Sequence, residues 1–170
     1  MFDREYSFRG RHAFEVDQLR QKFDSPESKA VLFNRNIDIY INAPLIGFLY
    51  GRTAEVDNLK NPEKNEPYTE KIMGDRIIAS KDDLLFNYRL IMLLDSEYEP
   101  DEEKRIDKAF RNTEDNPDDI AHFESYVRGG VDVLYEKLIK GAEKPEDYIN
   151  NLYDFVEEFQ DRFNSEVSED

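Results

Sequence analysis

Three side chains able to bind an anion stand together near the start of the chain, in the stretch SFRGRHAFE at residues 7–15. Arg9, Arg11 and His12 fall where the sequence predicts the start of a helix, and a helix N-terminus offers unpaired N–H groups to an anion. Guanidinium groups add bidentate hydrogen bonds to a phosphate or a carboxylate. Arg52 follows another glycine, in the sequence YGR. Arg9, Arg11, His12 and Arg52 are therefore candidates for an anion-binding site.

The same cations have an internal alternative, because the chain holds 39 Asp and Glu residues against 23 Lys and Arg. Residues 1–60 hold nine basic and nine acidic residues, so the formal net charge of −16 arises entirely after position 60. We favour the interpretation that the N-terminal cations pair with the chain's own carboxylates and hold a neutral arm against an acidic body. A site for a phosphorylated ligand is the alternative.

Other catalytic and metal-binding patterns are weakly represented in the sequence. Asp119 and His122 have the Asp-x-x-His spacing that places two side chains on one helix face, but helical dinuclear metal centres need a second such motif. No acidic residue stands three positions before His12, and the chain has no cysteine. The Gly-x-Ser-x-Gly, phosphate-loop and Gly-x-Gly-x-x-Gly motifs are also missing. The sequence therefore predicts no catalytic residue, no metal and no cofactor, and favours a protein that is not an enzyme.

Two stretches, residues 95–107 and 112–124, carry many carboxylates. Such a surface repels nucleic acid and anionic membranes and attracts basic proteins. Carboxylates spaced along a helix can also imitate the phosphates of DNA, whereas the simplest interpretation is a solvated, solubilising surface. Four residues are candidates for contact with a basic partner: Glu102, Glu103, Asp118 and Asp119.

Aromatic residues alternate at the N-terminus, at Phe2, Tyr6 and Phe8. Aromatic side chains and arginines are enriched where proteins bind each other, so these three are further candidates for partner contact. We favour the alternative that they dock the N-terminal arm on the chain's own core.

The elements that must position these residues are predicted to be helices. Apolar residues recur at helical spacing along most of the chain, and residues 80–94 form the most apolar helix, which we place in the core. Helices are predicted over 12–23, 27–42 and 44–50, with a kink or break at Pro44. Residues 71–79 are ambiguous between strand and helix. Helix starts are predicted at Ser25-Pro26, Glu99-Pro100, Asn116-Pro117 and Pro145, and by a capping box at Ser80 and Asp83.

The fold class that follows is all-α: a single domain over residues 1–164 with about six to eight helices and a frayed acidic tail over 165–170. The N-terminal arm over residues 1–11 is expected to be extended or irregular, and a long loop is expected near 51–70, where prolines and charges replace apolar residues.

The function expected from this sequence is that of a non-enzymatic, acidic, helical adaptor or small subunit of a larger cytoplasmic assembly, for example one that processes nucleic acid. A DNA-mimic inhibitor or regulator and a binder of a phosphorylated ligand are the alternatives. The partner is expected to be a protein with a basic surface, with no nucleic acid bound directly by the acidic part and no membrane. The cytoplasmic expectation rests on the lack of cysteine, of a signal-peptide pattern and of a membrane-spanning apolar run. The oligomeric state stays open.

Overall fold

The chain folds into seven α-helices and a two-stranded antiparallel sheet over the residues that the computed structural model describes, which are 1–23, 30–111 and 116–164. The expectation of a mostly helical domain with six to eight helices is confirmed. The elements in chain order are β1 (Tyr6–Arg9), α1 (Gly10–Leu19), α2 (Asn36–Leu49), β2 (Thr69–Ile72), α3 (Gly74–Ala79), α4 (Lys81–Leu94), α5 (Glu102–Ile106), a π-helical turn (Asp107–Arg111), α6 (Pro117–Leu138) and α7 (Pro145–Asn164).

Helix α6 begins where the sequence predicts and forms the centre of the fold. The Asn116 side chain accepts a hydrogen bond from the N–H of Asp118 at 3.0 Å, and Pro117 is the first helical residue. The helix continues through Gly129 and Gly130 without a break. Eleven of its 22 residues are buried, so α6 contributes side chains to the core over its whole length.

A glycine in each helix, Gly47 in α2 and Gly130 in α6, lets the two helices approach each other at backbone distance. A Cβ atom on Gly130 would lie 1.8 Å from the carbonyl oxygen of Ala43, and one on Gly47 would lie 2.2 Å from that of Tyr126. Both distances are far below van der Waals contact, so a larger residue at either position would push the helices apart. The α2–α6 pair is therefore the tightly packed core of the domain.

The N-terminal arm is a strand rather than an irregular segment. Strand β1 pairs with β2 in antiparallel register, with Tyr6 opposite Ile72 and Arg9 opposite Thr69. Phe8 and Ile72 are buried in the core. This burial stabilises a sheet of two short strands that would be only marginally stable on its own. The long loop expected near 51–70 thus ends in β2, and the ambiguous segment 71–79 contains the end of β2 followed by α3.

Several predicted helix boundaries differ from those in the structure. Helix α1 starts at Gly10 and ends at Leu19, whereas the prediction ran from 12 to 23. The helix predicted from 27 begins only at Asn36, after an extended Arg35, and Val31 lies in an isolated bridge with Lys22. The helix start predicted at Ser25-Pro26 lies outside the described residues.

The predicted effects of Pro44 and of the capping box at Ser80 are not found in the structure. Pro44 does not end α2, which continues to Leu49 with Pro44 buried inside it. The expected capping box is absent because the side chain of Ser80 makes no capping hydrogen bond at the start of α4. The helix predicted from Glu99-Pro100 starts later, at Glu102, and Asp101 caps it by accepting a hydrogen bond from the N–H of Lys104.

None of the helices within the described residues has the length and apolar character needed to cross a membrane.

Candidate functional site

The N-terminus of α1 already holds an anion, and this anion belongs to the chain. Gly10, at a φ of +57°, turns the backbone from β1 into α1 at a point where a Cβ would collide with Asp57. Oδ1 of Asp57 accepts hydrogen bonds from the N–H of Arg11 at 2.6 Å and of Leu59 at 2.8 Å. These two backbone hydrogen bonds lower the pKa of Asp57. The carboxylate therefore satisfies the helix N-terminus that the sequence offers to a ligand.

Two of the predicted anion-binding side chains meet at one carboxylate of α6. The Arg11 guanidinium donates from Nη2 to Oδ2 of Asp132 at 2.9 Å and from Nε to Oδ1 at 3.3 Å. Nε2 of His12 lies 3.2 Å from Oδ1 of the same carboxylate. The Asp132 side chain is 7% exposed, so α1 and α6 are joined through a nearly buried charged group.

The other two predicted anion-binding residues lie apart from Asp132. Arg52 pairs with Glu136 at 2.8 Å, one turn further along α6, and both side chains are close to half exposed. Arg9 is exposed at the end of β1. Arg11 and Arg52 thus pair with the chain's own carboxylates, and His12 lies beside one of them, which favours internal pairing over a shared ligand site.

Glu15 completes a cluster with His12 and Asp132 that was not anticipated from the sequence. Glu15 lies one helical turn after His12 on α1 and is half-buried beside Asp132. Burial, followed by the nearby Asp132 carboxylate, raises the pKa of Glu15. Burial acts on Asp132 in the same direction, but its contacts with His12 and Arg11 more than offset this, and the pKa of Asp132 is lowered. The two carboxyl groups therefore have opposite preferences for a proton.

The three side chains present polar atoms to one another at short range. One candidate ligand atom from each of His12, Glu15 and Asp132 lies within 4.8 Å of the other two. His12 is 1% exposed, and within the described part of the chain neither ring nitrogen has a partner in hydrogen-bond geometry; the same holds for Oε2 of Glu15. The His-x-x-Glu spacing of residues 12–15 is visible in the sequence. It was missed because the Asp-x-x-His pattern considered above places the acidic residue before the histidine. Asp132 carries no local signal of this kind.

The second histidine belongs to a different polar cluster, in which its hydrogen bonding is satisfied. Nε2 of His122 donates to Oδ2 of Asp95 at 2.7 Å, and the hydroxyl of Tyr126 donates to the same oxygen at 2.8 Å. The ring of His122 stacks on Tyr98 with the centroids 3.7 Å apart. Burial raises the pKa of Asp95, but hydrogen bonds from His122, the N–H of Tyr98 and Tyr126 outweigh it, so the pKa is lowered.

The Asp-x-x-His pair does not act as one unit. Asp119 is 1% exposed and pairs with Lys108, and the hydroxyl of Tyr98 donates to it at 2.8 Å. Asp119 therefore faces the interior, where it can neither share a ligand with His122 nor contact a partner. Of the other acidic candidates, Glu102 and Asp118 are exposed, and the exposed Glu103 accepts a hydrogen bond from Arg111 at 3.2 Å.

The aromatic residues of the N-terminal arm pack on the chain itself. Phe8 is buried in the core, and Phe2 and Tyr6 are partly buried against it. The ring of Phe2 meets that of Phe123 edge-on at 5.7 Å, and the ring of Tyr6 lies 4.4 Å from that of Tyr40. This arrangement favours docking of the arm on its own core.

Unlike the aromatic residues of the N-terminal arm, several apolar side chains of α7 are exposed. Ile149, Leu152, Tyr153 and Val156 are 57%, 42%, 66% and 45% exposed. Their i, i+3, i+4 and i+7 spacing places them along one face of the helix. We call these four residues the α7 stripe. The sequence pattern of α7 does contain this stripe, but it predicts a helix face packed on the core.

A neighbouring face attaches α7 to the domain. Tyr148 stacks on Phe23 at 5.4 Å, Phe155 stacks on Tyr50 at 6.3 Å, and Asn151 donates a hydrogen bond to the carbonyl of Leu138 at 3.3 Å. None of residues 145–163 is fully buried. The apolar side of α7 is thus wider than the surface that the domain covers.

No protein family, no curated protein and no solved structure matches the chain. The candidate sites therefore stand on the chain's own chemistry.

Proposed function

We propose that this chain is a non-enzymatic interaction protein that binds a basic, amphipathic helical segment of a partner protein through the α7 stripe. The observation that carries the proposal is the exposure of four large apolar side chains on one face of α7. We further propose that the partner belongs to a cytoplasmic assembly, in agreement with the cysteine-free composition.

The apolar character of the stripe supports a protein contact. Scattered apolar residues on a surface need no explanation, but adjoining ones rimmed by polar groups are typical of interaction sites. Helical grooves and faces recognise amphipathic helices through anchors at this same spacing. Burying the four side chains against a partner removes from water the surface that the domain leaves uncovered, which is favourable by roughly 25 cal/mol per Å² of apolar area.

The charge beside the stripe supports a basic partner. Helix α7 carries six acidic residues and a single basic one, Arg162. At 100° per residue, Glu146 and Glu157 adjoin the stripe on the side away from the domain, and Asp154 and Asp161 follow them. Exposed carboxylates at the edge of an apolar surface favour lysines and arginines on the facing helix and speed the encounter.

The same charge argues against a second copy of this chain as the occupant. Two copies at a formal charge of −16 each would bring the acidic edges of both α7 helices together. Like charges placed across an interface suppress a wrong pairing. We therefore expect a monomer until the basic partner binds.

A direct test uses a fluorescent 18-residue Leu/Lys peptide designed as an amphipathic helix, with anisotropy as the measurement. The wild-type chain is expected to bind it, and the Leu152→Ser, Val156→Ser double variant is expected to bind at least tenfold more weakly. A tenfold change corresponds to about 1.4 kcal/mol, a modest loss for two truncated apolar anchors. Salt should weaken the interaction because exposed charges are screened.

The matched control is a Met73→Ser, Ile78→Ser double variant, since both residues are about as exposed as the stripe but lie outside α7. It leaves the charge unchanged and is expected to bind as the wild type does. Equal binding by the Leu152→Ser, Val156→Ser variant contradicts the proposal, because the peptide is then held by charge alone.

A further inference from the structure

We propose that His12, Glu15 and Asp132 bind one divalent first-row transition-metal ion, with Zn²⁺ as a representative. This site is independent of the α7 stripe and of the function proposed for it. It combines two residues one turn apart on α1 with a third from α6.

The distances within the cluster suit a shared ion. The three candidate ligand atoms lie within 4.8 Å of one another, and Nε2 of His12 is 3.2 Å from Oδ1 of Asp132. Zinc lies about 2.0–2.2 Å from nitrogen and oxygen ligands, so tetrahedral geometry places neighbouring ligand atoms about 3.3–3.6 Å apart. The His12–Asp132 separation of 3.2 Å lies just below this range, so small movements of the side chains would complete the site.

The second observation is the state of the His12 ring. Its side chain is 1% exposed, Nδ1 has no hydrogen-bond partner within the described residues, and Nε2 lies 3.2 Å from Oδ1 of Asp132 outside the angles of a regular hydrogen bond. Buried polar groups without hydrogen bonds are costly and uncommon. His122 provides the contrast inside the same protein, because its Nε2 donates to Asp95. A metal ion at His12 would use the nitrogen lone pair that the chain leaves unused.

Arg11 is compatible with this role because it contacts the carboxylate from outside. Its guanidinium donates to both oxygens of Asp132, and each carboxylate oxygen has a second lone pair. Carboxylates that bind metals are commonly held in place by such neighbouring hydrogen bonds. The Arg11 side chain is 45% exposed, which leaves part of its charge in water. The carboxylates of Glu15 and Asp132 balance the two charges of the ion.

The mixture of ligands selects the class of metal. Imidazole suits Zn²⁺ and other transition-metal ions, whereas Mg²⁺ and Ca²⁺ prefer sites made of oxygen ligands alone. The chain offers no thiolate, since it has no cysteine. We therefore expect Zn²⁺ and Co²⁺ to bind and Mg²⁺ to leave His12 unchanged.

The test exploits the fact that the chain has only two histidines. Purified chain stripped with a chelator and labelled with ¹⁵N at histidine is titrated with ZnCl₂, and the ring signals are followed by NMR. The His122 ring is identified by its contacts with the stacked ring of Tyr98. Saturation at one Zn²⁺ per chain with a shift of a His12 ring nitrogen supports the proposal. A shift confined to His122, no shift at either ring, or an equal effect of MgCl₂ overturns it.

The variants Glu15→Gln and Glu136→Gln supply the matched pair, measured by calorimetric titration with ZnCl₂. Glu136 is also on α6 and pairs with Arg52, outside the cluster. Glu15→Gln is expected to weaken Zn²⁺ binding by at least about tenfold, because it removes one of the three ligands, while Glu136→Gln, which removes only a nearby charge, weakens it less. Equal affinity in the two variants overturns the site, and the wild-type NMR titration decides the matter if Glu15→Gln fails to fold.

Discussion

Arg11 and Asp132 are 121 positions apart in the sequence and face each other through two guanidinium nitrogens and two carboxylate oxygens. The contact joins α1, in the part of the chain without net charge, to α6, in the part that carries the whole excess of negative charge. The contact agrees with the internal pairing that we favour from the sequence.

The Arg11–Asp132 pair is expected to contribute to stability. Asp132→Asn removes a nearly buried charged acceptor and should lower the free energy of unfolding by about 2 kcal/mol, within the range for hydrogen bonds to charged groups. Glu136→Gln is the control, because the Arg52–Glu136 pair is half exposed and should contribute less than about 1 kcal/mol. Urea denaturation of both variants and of an Arg11→Gln, Asp132→Asn cycle measures this. Equal losses of unfolding free energy in Asp132→Asn and Glu136→Gln would show that burial of Asp132 has no energetic role.

Gly130→Ala is expected to be among the most destabilising single changes. The added Cβ would lie 1.8 Å from the carbonyl oxygen of Ala43. Because this is a backbone atom within a packed helix, it cannot move aside without separating α2 from α6. We predict a loss of about 3 kcal/mol, at the upper end for overpacking.

The control is Gly141→Ala, where a Cβ would meet nothing within 4 Å and only the φ of +83° opposes the change. It should cost about 1–2 kcal/mol. Thermal or urea unfolding that finds Gly130→Ala no worse than Gly141→Ala refutes the close α2–α6 contact.

The Asp95 cluster predicts a dependence of stability on pH. Because the pKa of Asp95 is lowered in the folded chain, its carboxylate stabilises the fold above the unfolded value of about 3.9. That contribution is lost as the pH falls through the folded pKa. The wild type should therefore exceed Asp95→Asn in unfolding free energy by a constant amount above about pH 5, and the difference should shrink below about pH 4. An identical difference at pH 3 and pH 6 would contradict the role given to Asp95.

Helix α7 is expected to open more readily than α6. None of residues 145–163 is fully buried, whereas eleven residues of α6 are, and local opening is cheapest where few apolar groups are buried. Hydrogen exchange followed by mass spectrometry should detect faster exchange in α7 amides, and the Leu/Lys peptide should slow it. Protection of free α7 equal to that of α6 would contradict a loosely attached helix.

Local signals predicted the parts of the fold that local physics determines. Asn116 and Pro117 begin α6 by a side-chain cap and a residue that needs no N–H donor, and α7 likewise begins at a proline, Pro145. The sheet was not predictable on these grounds, because Tyr6 and Ile72 each lie in a four-residue strand whose partner is distant in the sequence. The start of α2 was missed because apolar residues at 30–33 continue the helical spacing without being helical.

The candidate sites divide along the same line. The involvement of Arg11 and His12 was visible in the sequence, but their common partner Asp132 was one of 39 acidic residues and only the fold selects it. The sequence predicts Asp119 as a partner contact, but in the structure it is buried beside Lys108. The α7 stripe is the reverse case, since its pattern is clear and only the packing of α7 reveals that it is uncovered.

Co-purification from the cells that express the chain tests the central claim most directly. Tagged wild type and the Leu152→Ser, Val156→Ser variant are recovered at low salt, bound proteins are identified, and the complex is rebuilt from purified components. We predict a basic protein that is retained by the wild type, lost from the variant and released by salt, with its contact mapped to an amphipathic helix. Retention of the same partners by both forms, or a rebuilt complex that leaves α7 exchange unchanged, would contradict the account.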